Sequence, residues 1–319
     1  GANSSFVSQI ADATIAPETI VRDPFELAGA FTPAPSELIL PPAQLFGDTR
    51  QNSRGWDMTD PQAVASLLSQ REHFAQIKWQ ARPLIAGTVQ GGMPQLVINP
   101  ADPEDVVVQV LNASPADIET AIVAAVRGAA LWSGEPVVRR VETLQRLADL
   151  YEQHAVELYA LIQREAGKTL ADAMGELREA VDFARYYASQ ALSVGSERRG
   201  CGVFSCISPW NFPLAIFTGQ VLAAVVSGNA VLAKPAEQTP LVAAKAVALM
   251  HEAGIPAAVV QLLPGSGAEV GASLTTDARI QGVCFTGSTA TAQSINRAMA
   301  GSMTASAPLI AETGGLNAM

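Results

Sequence analysis

GVFSCISPWNFPLAIFTGQVLAAVVSGNAVLAKPAE, residues 202–237, spells one strand–loop–helix–strand unit. Val203–Ile207 is a short apolar run of the kind that forms a buried strand, and Ala230–Ala233 is another. Between them, the segment from Leu214 to Val226 is interrupted only by Thr218, Gly219 and Gln220. It suits a buried helix and is too short to cross a bilayer core of about 30 Å. The rhythm continues downstream: Val259–Leu263, Gly282–Phe285 and Leu309–Ala311 are predicted strands, with helices starting near Pro240, Ala268 and Thr289. Strands alternating with helices of roughly 10–15 residues imply an α/β fold, a Rossmann-like parallel sheet with flanking helices and right-handed crossovers. Ligands of such sheets sit at the carboxyl ends of the strands. Four short signatures fall there: Ser-Pro-Trp-Asn-Phe-Pro at 208–213, Lys-Pro-Ala-Glu at 234–237, Phe-Thr-Gly-Ser-Thr at 285–289 and Glu-Thr-Gly-Gly at 312–315.

Upstream the pattern changes. Residues 1 to about 55 are rich in Pro, Ala and small polar residues, and Pro33, Pro35, Pro41 and Pro42 interrupt any long periodicity. This part reads as a linker with short helices. Asp60 before Pro61 opens a predicted helix running to Trp79, with Val64, Leu67, Leu68, Phe74 and Ile77 on its apolar side. Pro83–Val110 is predicted strand. Helices are then predicted over Pro115–Trp132, capped by Ser114, over Glu135–Arg164, and from Thr169 to about Leu192.

Size and charge narrow the possible functions. A chain of 319 residues and 33.3 kDa with 49% hydrophobic residues can bury a substantial core. A formal net charge of −10 and a pI of about 4.8 repel a phosphate backbone, which argues against nucleic acid as a partner. Cys201, Cys206 and Cys284 form no Cys-x-x-Cys pair and no even framework, a usage that suits a reducing cytoplasm without disulfides. His73, His154 and His251 are far apart and lack ligand-like neighbours, so no metal is assigned. Nothing at the start of the sequence reads as a signal peptide, and no stretch reads as a transmembrane segment.

The signatures carry groups suited to binding and to acyl chemistry. Lys234 and Glu237 leave the carboxyl edge of the sheet, where a lysine and a carboxylate can grip ribose hydroxyls; alternatively they form a solvated ion pair. A carboxylate at the ribose repels a 2′-phosphate and favours NAD over NADP. Gly265-Ser-Gly267-Ala-Glu-Val-Gly271 has one residue too many for Gly-x-Gly-x-x-Gly, so Gly267 serves either a cofactor turn or a plain strand-to-helix turn. Gly287 permits close backbone approach, and Ser288 offers a hydroxyl and an N–H to a pyrophosphate at a helix start. Its plainer role is a helix cap. The prolines around Trp210 and Asn211 stiffen their loop, so the Asn211 amide can meet a developing oxyanion; alternatively it is a turn asparagine bonding its own backbone. Glu312, at a strand end before Gly314-Gly315, can serve as a general base or be an exposed loop glutamate.

With the four motifs in order, the stretch from about Ala81 to Met319 resembles the aldehyde dehydrogenase superfamily, and within it the 1-pyrroline-5-carboxylate (L-glutamate γ-semialdehyde) dehydrogenases. Glu165–Thr169 with Ala171–Tyr187 resembles the substrate-side helix of that branch. Pro209–Gln220 is similar to the version in the bifunctional proline utilization A proteins, and Gly1–Val7 to the junction where those proteins leave their flavin-dependent proline dehydrogenase barrel. The resemblance implies a linker over 1–60 and the NAD-binding domain of the aldehyde dehydrogenase fold over 61–319. It also implies NAD-dependent oxidation of a small aldehyde, glutamate semialdehyde, to glutamate by a cytoplasmic homo-oligomer. A cysteine thiolate attacks the aldehyde, Asn211 holds the oxyanion, and Glu312 activates the water that releases the product. Lys234, Glu237, Gly267, Gly287, Ser288 and Trp210 form the cofactor-binding set. FAD would belong to the barrel, outside this region.

Three departures qualify these expectations. Ala292 stands where many members have a glycine, and Ser189–Gly200 is shorter than the family's oligomerisation hairpin. The family nucleophile lies beyond the Glu-Thr-Gly-Gly motif, whereas this sequence ends seven residues after Glu312. Cys206 and Cys284 sit in apolar strand runs, and Cys201 is on a loop with only Arg198 and Arg199 to lower its pKa. The chain alone is therefore expected to be an inactive fragment. Another aldehyde dehydrogenase branch, or a non-catalytic nucleotide-binding module, remains as an alternative reading.

Overall fold

The computed structural model describes residues 2–23, 25–26, 39–75, 77–194 and 199–314. The features noted above at Gly1, Pro33, Pro35, Arg198, Gly315 and 316–319, and part of Ser189–Gly200, lie outside these residues. Contacts divide the chain into two units, Gly1–Pro41 and Pro42–Met319. In the smaller unit, α1 (Ala2–Ala11) is followed by a turn in which Asp12 accepts from the Thr14 backbone N–H and hydroxyl at 2.9 and 2.6 Å. The single turn α2 (Pro17–Ile20) then starts on a proline, whose missing N–H costs nothing at that position.

In the larger unit, residues 52–53 are buried because Asp182 accepts from both the N–H and the hydroxyl of Ser53 at 2.8 Å while Arg185 donates to the Asn52 carbonyl. Helix α3 (Pro61–Glu72) is capped by Asp60 as predicted. It stops short of Trp79, yet Phe74 still packs on the core from the turn that follows. The predicted strand region is two constructions. β1 (Leu84–Ile85) and β2 (Thr88–Val89) add an antiparallel pair to the main sheet. β3 (Met93–Asn99) and β4 (Asp102–Asn112) form a separate hairpin. α4 (Pro115–Trp132) opens with a reciprocal capping box between Ser114 and Asp117.

The single helix predicted over Glu135–Arg164 is two, α5 (Val137–Gln153) and α6 (Ala155–Ala166), separated at His154. No glycine or proline marks the break, so the cause is tertiary. Glu157, in the first turn of α6, is held by Trp79 Nε1 at 3.1 Å, Lys245 Nζ at 2.8 Å and His154 Nδ1 at 3.2 Å. α6 ends at Gly167, which adopts φ 65° and lies so close to Pro100 that a Cβ would come within 2.7 Å of it. α7 (Leu170–Val194) follows, and then the alternating region.

That region contains β5 (Val203–Ile207), α8 (Ala215–Val226), β6 (Ala230–Lys234), α9 (Pro240–Glu252), β7 (Val260–Leu262), β8 (Ile280–Gly287), α10 (Thr289–Ser302) and β9 (Leu309–Thr313). The helix predicted near Ala268 is a π-type turn, Gly267–Gly271, and one α turn, Ala272–Leu274. The sheet order is β2-β1-β7-β6-β5-β8-β9, with β7, β6, β5, β8 and β9 mutually parallel. This is the expected α/β architecture. β5, β6 and β7 are buried on both faces, as their unbroken apolar runs require. Phe204, Cys206, Val231 and Ala233 point into the large core under α5–α9, whereas Val203, Ala230 and Leu232 point into the smaller one under α4. Val283 and Phe285 face α10 through Ala292, Ile295 and Met299. From β5 the chain winds outward to β6 and β7, then returns to the other side of β5 for β8. Loops leaving β5 and β8 therefore diverge, and a crevice opens between them.

Candidate active site

A cavity of about 990 Å³ occupies that crevice. Its walls bring together Trp210 and Asn211 after β5, Gly287 and Ser288 after β8, and Glu312 on β9. Among the described lining residues Glu312 is the one charged side chain; Phe183, Tyr187, Phe212, Ile216 and Ile310 make much of the rest apolar.

The loop after β5 is exposed at Trp210, Asn211 and Phe212 and anchored at both ends. Ser208 donates its N–H to the Lys234 carbonyl at 3.2 Å, and Pro213 is buried where α8 begins. The Asn211 amide has no hydrogen-bond partner among the described residues, which leaves its N–H₂ for a ligand.

Glu312 is not in a loop. β9 continues to Thr313, and Glu312 is the register partner of Thr286. Two residues back, Ile310 pairs with Cys284, so all four side chains share the face turned toward α7 and α8. Gln220 on α8 donates from Nε2 to Thr286 Oγ1 at 2.9 Å and, more weakly, to the Ile207 carbonyl at 3.5 Å. Cys206 lies beside Cys284 in register on the neighbouring strand. A hydrogen bond from the Cys206 thiol lowers the pKa of Cys284, and the pKa of Cys206 is raised by that contact and by burial. Cys284 is buried, as its apolar run suggests, and also lines the cavity.

Phe183 and Tyr187, one turn apart on α7, stack at 5.8 Å and form the opposite wall. The Phe183 ring lies so close to α8 that a Cβ on Gly219 would sit 3.1 Å from it. Tyr187 has its pKa raised by burial and, to a lesser degree, by the charges of neighbours that include Glu312. Sequence reading did not single out Phe183, Tyr187, Gln220, Thr286 or Cys284 as site residues. The spacing of Phe183 and Tyr187 on a helical face was a usable signal; the Gln220–Thr286 contact, between elements distant in sequence, was not.

At α10 the Ser288 hydroxyl is engaged as a cap, accepting from the Thr291 N–H at 3.1 Å and meeting the Thr291 hydroxyl at 2.8 Å. The next N–H groups, of Thr289 and Ala290, lack intrahelical partners by the geometry of any helix start. A Cβ at Gly287 would meet the Phe285 ring at 2.6 Å, so a larger residue there would displace that ring. Lys234, Glu237 and Gly267 lie outside this cavity. Lys234 is 3% exposed, donates to the Pro235 carbonyl at 3.0 Å, and has its pKa lowered by burial to about 8. It makes no ion pair with Glu237, which accepts instead from the Gly267 N–H at 2.7 Å. Glu237 borders a neighbouring hollow of about 340 Å³ that shares Trp210 with the main cavity. Trp210 thus stands between the two groups of predicted residues. Among the described residues no cluster is placed to hold a metal ion, and no single helix is long and apolar enough to cross a membrane.

Comparison with known proteins gives concordant results. The sequence profile described as "Aldehyde dehydrogenase family" matches residues 89–319. The chain is 46% identical over 330 aligned positions to the bifunctional protein PutA of Escherichia coli (strain K12), covering 100% of this chain and 25% of that protein. A solved structure of proline utilization A with proline bound in remote sites superposes with TM-score 0.74 at 41% identity, over 98% of this chain and 30% of the other. A 1-pyrroline-5-carboxylate dehydrogenase from Thermus with bound NAD superposes with TM-score 0.78 at 32% identity, over 83% of this chain and 55% of the other. The chain thus spans about a quarter of the curated PutA relative.

Proposed function

Because the chain belongs to the aldehyde dehydrogenase family, we propose that it is the cofactor-binding region of an enzyme that oxidises L-glutamate γ-semialdehyde to L-glutamate with NAD. The observation that carries this reading is the meeting of Asn211 and Glu312, from different strand ends, in one largely apolar cavity beside the start of α10. The similarity to proteins of proline utilization supports the choice of substrate.

In this reading the free Asn211 amide donates to the oxygen that becomes negative when the aldehyde carbon is attacked. One such donor is worth roughly 2.7–4 kcal/mol in comparable sites. Glu312 takes the proton of the water that releases the acid. Phe183, Tyr187 and Ile310 supply apolar walls beside both groups. The N–H groups at the start of α10 suit a pyrophosphate, Gly287 lets it approach, and the second oxygen of Glu237 suits a ribose hydroxyl. NAD, when bound, supplies the hydride acceptor. The chain's own thiols are not placed for the attack: Cys206 is sealed in the core, Cys201 borders another hollow, and Cys284 is 93% buried in the strand floor. The nucleophile is therefore supplied from outside these 319 residues, and the isolated chain makes no NADH. The active form works in the cytoplasm as a homo-oligomer.

Calorimetric titration of the chain with NAD and with NADP tests the cofactor assignment. Saturable heat with NAD and a weaker response with NADP is expected; no heat at millimolar NAD would sink it. NADH formation from glutamate semialdehyde by the isolated chain, abolished by Glu312→Ala, would overturn the assignment of the nucleophile.

A further inference from the structure

Glu176, in the second turn of α7, is 1% exposed. A buried carboxylate must find partners or raise its energy by several kcal/mol. Glu176 finds them on one segment and one cation. Oε2 accepts the N–H groups of Leu214 at 3.2 Å and Ala215 at 2.9 Å, the residues that carry the Asn211 loop into α8. These are the donors a helix start leaves unsatisfied, and a negative charge there also interacts favourably with the positive end of the helix dipole. Oε1 accepts from the Lys168 ammonium, which lies 4.0 Å from the centroid of the Phe212 ring. One ion pair therefore holds the loop at two points: backbone at 214–215, and ring at Phe212.

Asn211 lies between Trp210 and Phe212, is exposed, and has no hydrogen bond of its own among the described residues. Its aim is set by its neighbours. Pro213 cannot donate a hydrogen bond and has a fixed φ, so displacement of Phe212 or Leu214 passes to Asn211 with little to absorb it. We propose that Lys168 and Glu176 are positioning residues that set the direction of the Asn211 amide. This rests on the reading of Asn211 as the oxyanion donor and adds to it the residues that hold the donor in place. The cation over the ring and the carboxylate at the backbone act as one clamp, because each is the other's counter-charge.

The test uses Lys168→Met and Lys168→Arg in the full-length gene product that carries this sequence. Misaimed by about an ångström, a catalytic group loses on the order of 10²-fold in rate. The expectation for Lys168→Met is a kcat lower by about that factor, with KM and the Kd for NAD unchanged; Lys168→Arg keeps charge and ring contact and restores most of the rate. A wild-type kcat in Lys168→Met, or a loss that Lys168→Arg does not repair, overturns the proposal. A second readout is independent of turnover: in this chain labelled with 5-fluorotryptophan, Lys168→Met shifts or broadens the Trp210 fluorine line and leaves that of Trp132 in place. If the wild-type gene product oxidises no semialdehyde, the functional reading fails and the clamp is judged on that line alone. An unchanged Trp210 line then overturns it.

Discussion

The Gly267 N–H donates to the Glu237 carboxylate over 2.7 Å, tying the turn after β7 to the turn after β6. One carboxylate oxygen is thereby fixed by backbone and the other is left for a ligand. Glu237→Ala is expected to weaken NAD binding by about tenfold, roughly 1.4 kcal/mol, while NADP gains relative to NAD because the charge opposing its 2′-phosphate is removed. Glu237→Gln should lie between the two. Titration calorimetry of the three chains with both dinucleotides decides; equal loss for NAD and NADP would refute the ribose assignment.

Glu165 predicts a pH dependence of stability. Burial pushes its pKa up to about 8, against the N–H groups of Leu241 and Val242, which donate to it at 2.7 and 2.8 Å. An unfolded glutamate titrates at about 4.3, so between that value and about 8 the folded chain binds the extra proton. Its contribution to stability is therefore fully present below the unfolded pKa, falls as pH rises through this window, and levels off above it. Urea unfolding at several pH values should show the wild type losing stability from pH 5 to 8 relative to Glu165→Gln, which has no proton to release. Parallel profiles would contradict this origin.

The three thiols should react in a set order. Cys201 is exposed, Cys284 lines the cavity with its pKa lowered by Cys206, and Cys206 is sealed with its pKa raised. Thiolate character and access both govern alkylation. Iodoacetamide followed by peptide mass spectrometry should label Cys201 first, Cys284 second, and Cys206 only after unfolding; saturating NAD should protect Cys284. Labelling of Cys206 ahead of Cys284 in the folded chain would contradict the arrangement.

Gly219→Ala should close the contact between α7 and α8. The new methyl would meet the Phe183 ring at 3.1 Å, and overpacking of this kind costs about 1–3 kcal/mol. A lower unfolding midpoint is expected, together with loss of ligand affinity as Phe183 is pushed into the cavity. Gly175→Ala on α7, where nothing lies within 4 Å, should be neutral or stabilising by comparison.

The sheet was legible because β5 to β9 are short apolar runs spaced by helices, and β5, β6 and β7, buried on both faces, are mostly apolar. Its order was not legible, since the return from β7 to β8 is decided by packing between residues far apart in sequence. At the site, Asn211, Ser288 and Glu312 stood out through their motifs, and the structure brings them to one cavity. The hydroxyl of Ser288 is nevertheless taken up in capping, and Lys234 is buried against its own backbone. Motifs disclose which residue types are present; solvation and partners are set by the neighbours. The division of the predicted helix at His154 has the same cause, because Glu157 is drawn to Trp79 and Lys245 from elsewhere in the chain.

The pairing of Thr286 with Glu312 sits on the outermost parallel strand, where β8 is the sole neighbour among the described residues. Side chains alternate across a sheet, so a slip of one residue in β9 would turn Glu312 away from the cavity and present Ala311 or Thr313 in its place. The slipped chain would keep nearly all of its core and look native by circular dichroism or by its unfolding midpoint. Yield of folded protein and yield of competent protein are therefore separate quantities here. In the larger enzyme proposed above, a preparation can be entirely folded and still have low specific activity, by the fraction of molecules in which one edge strand settled out of step.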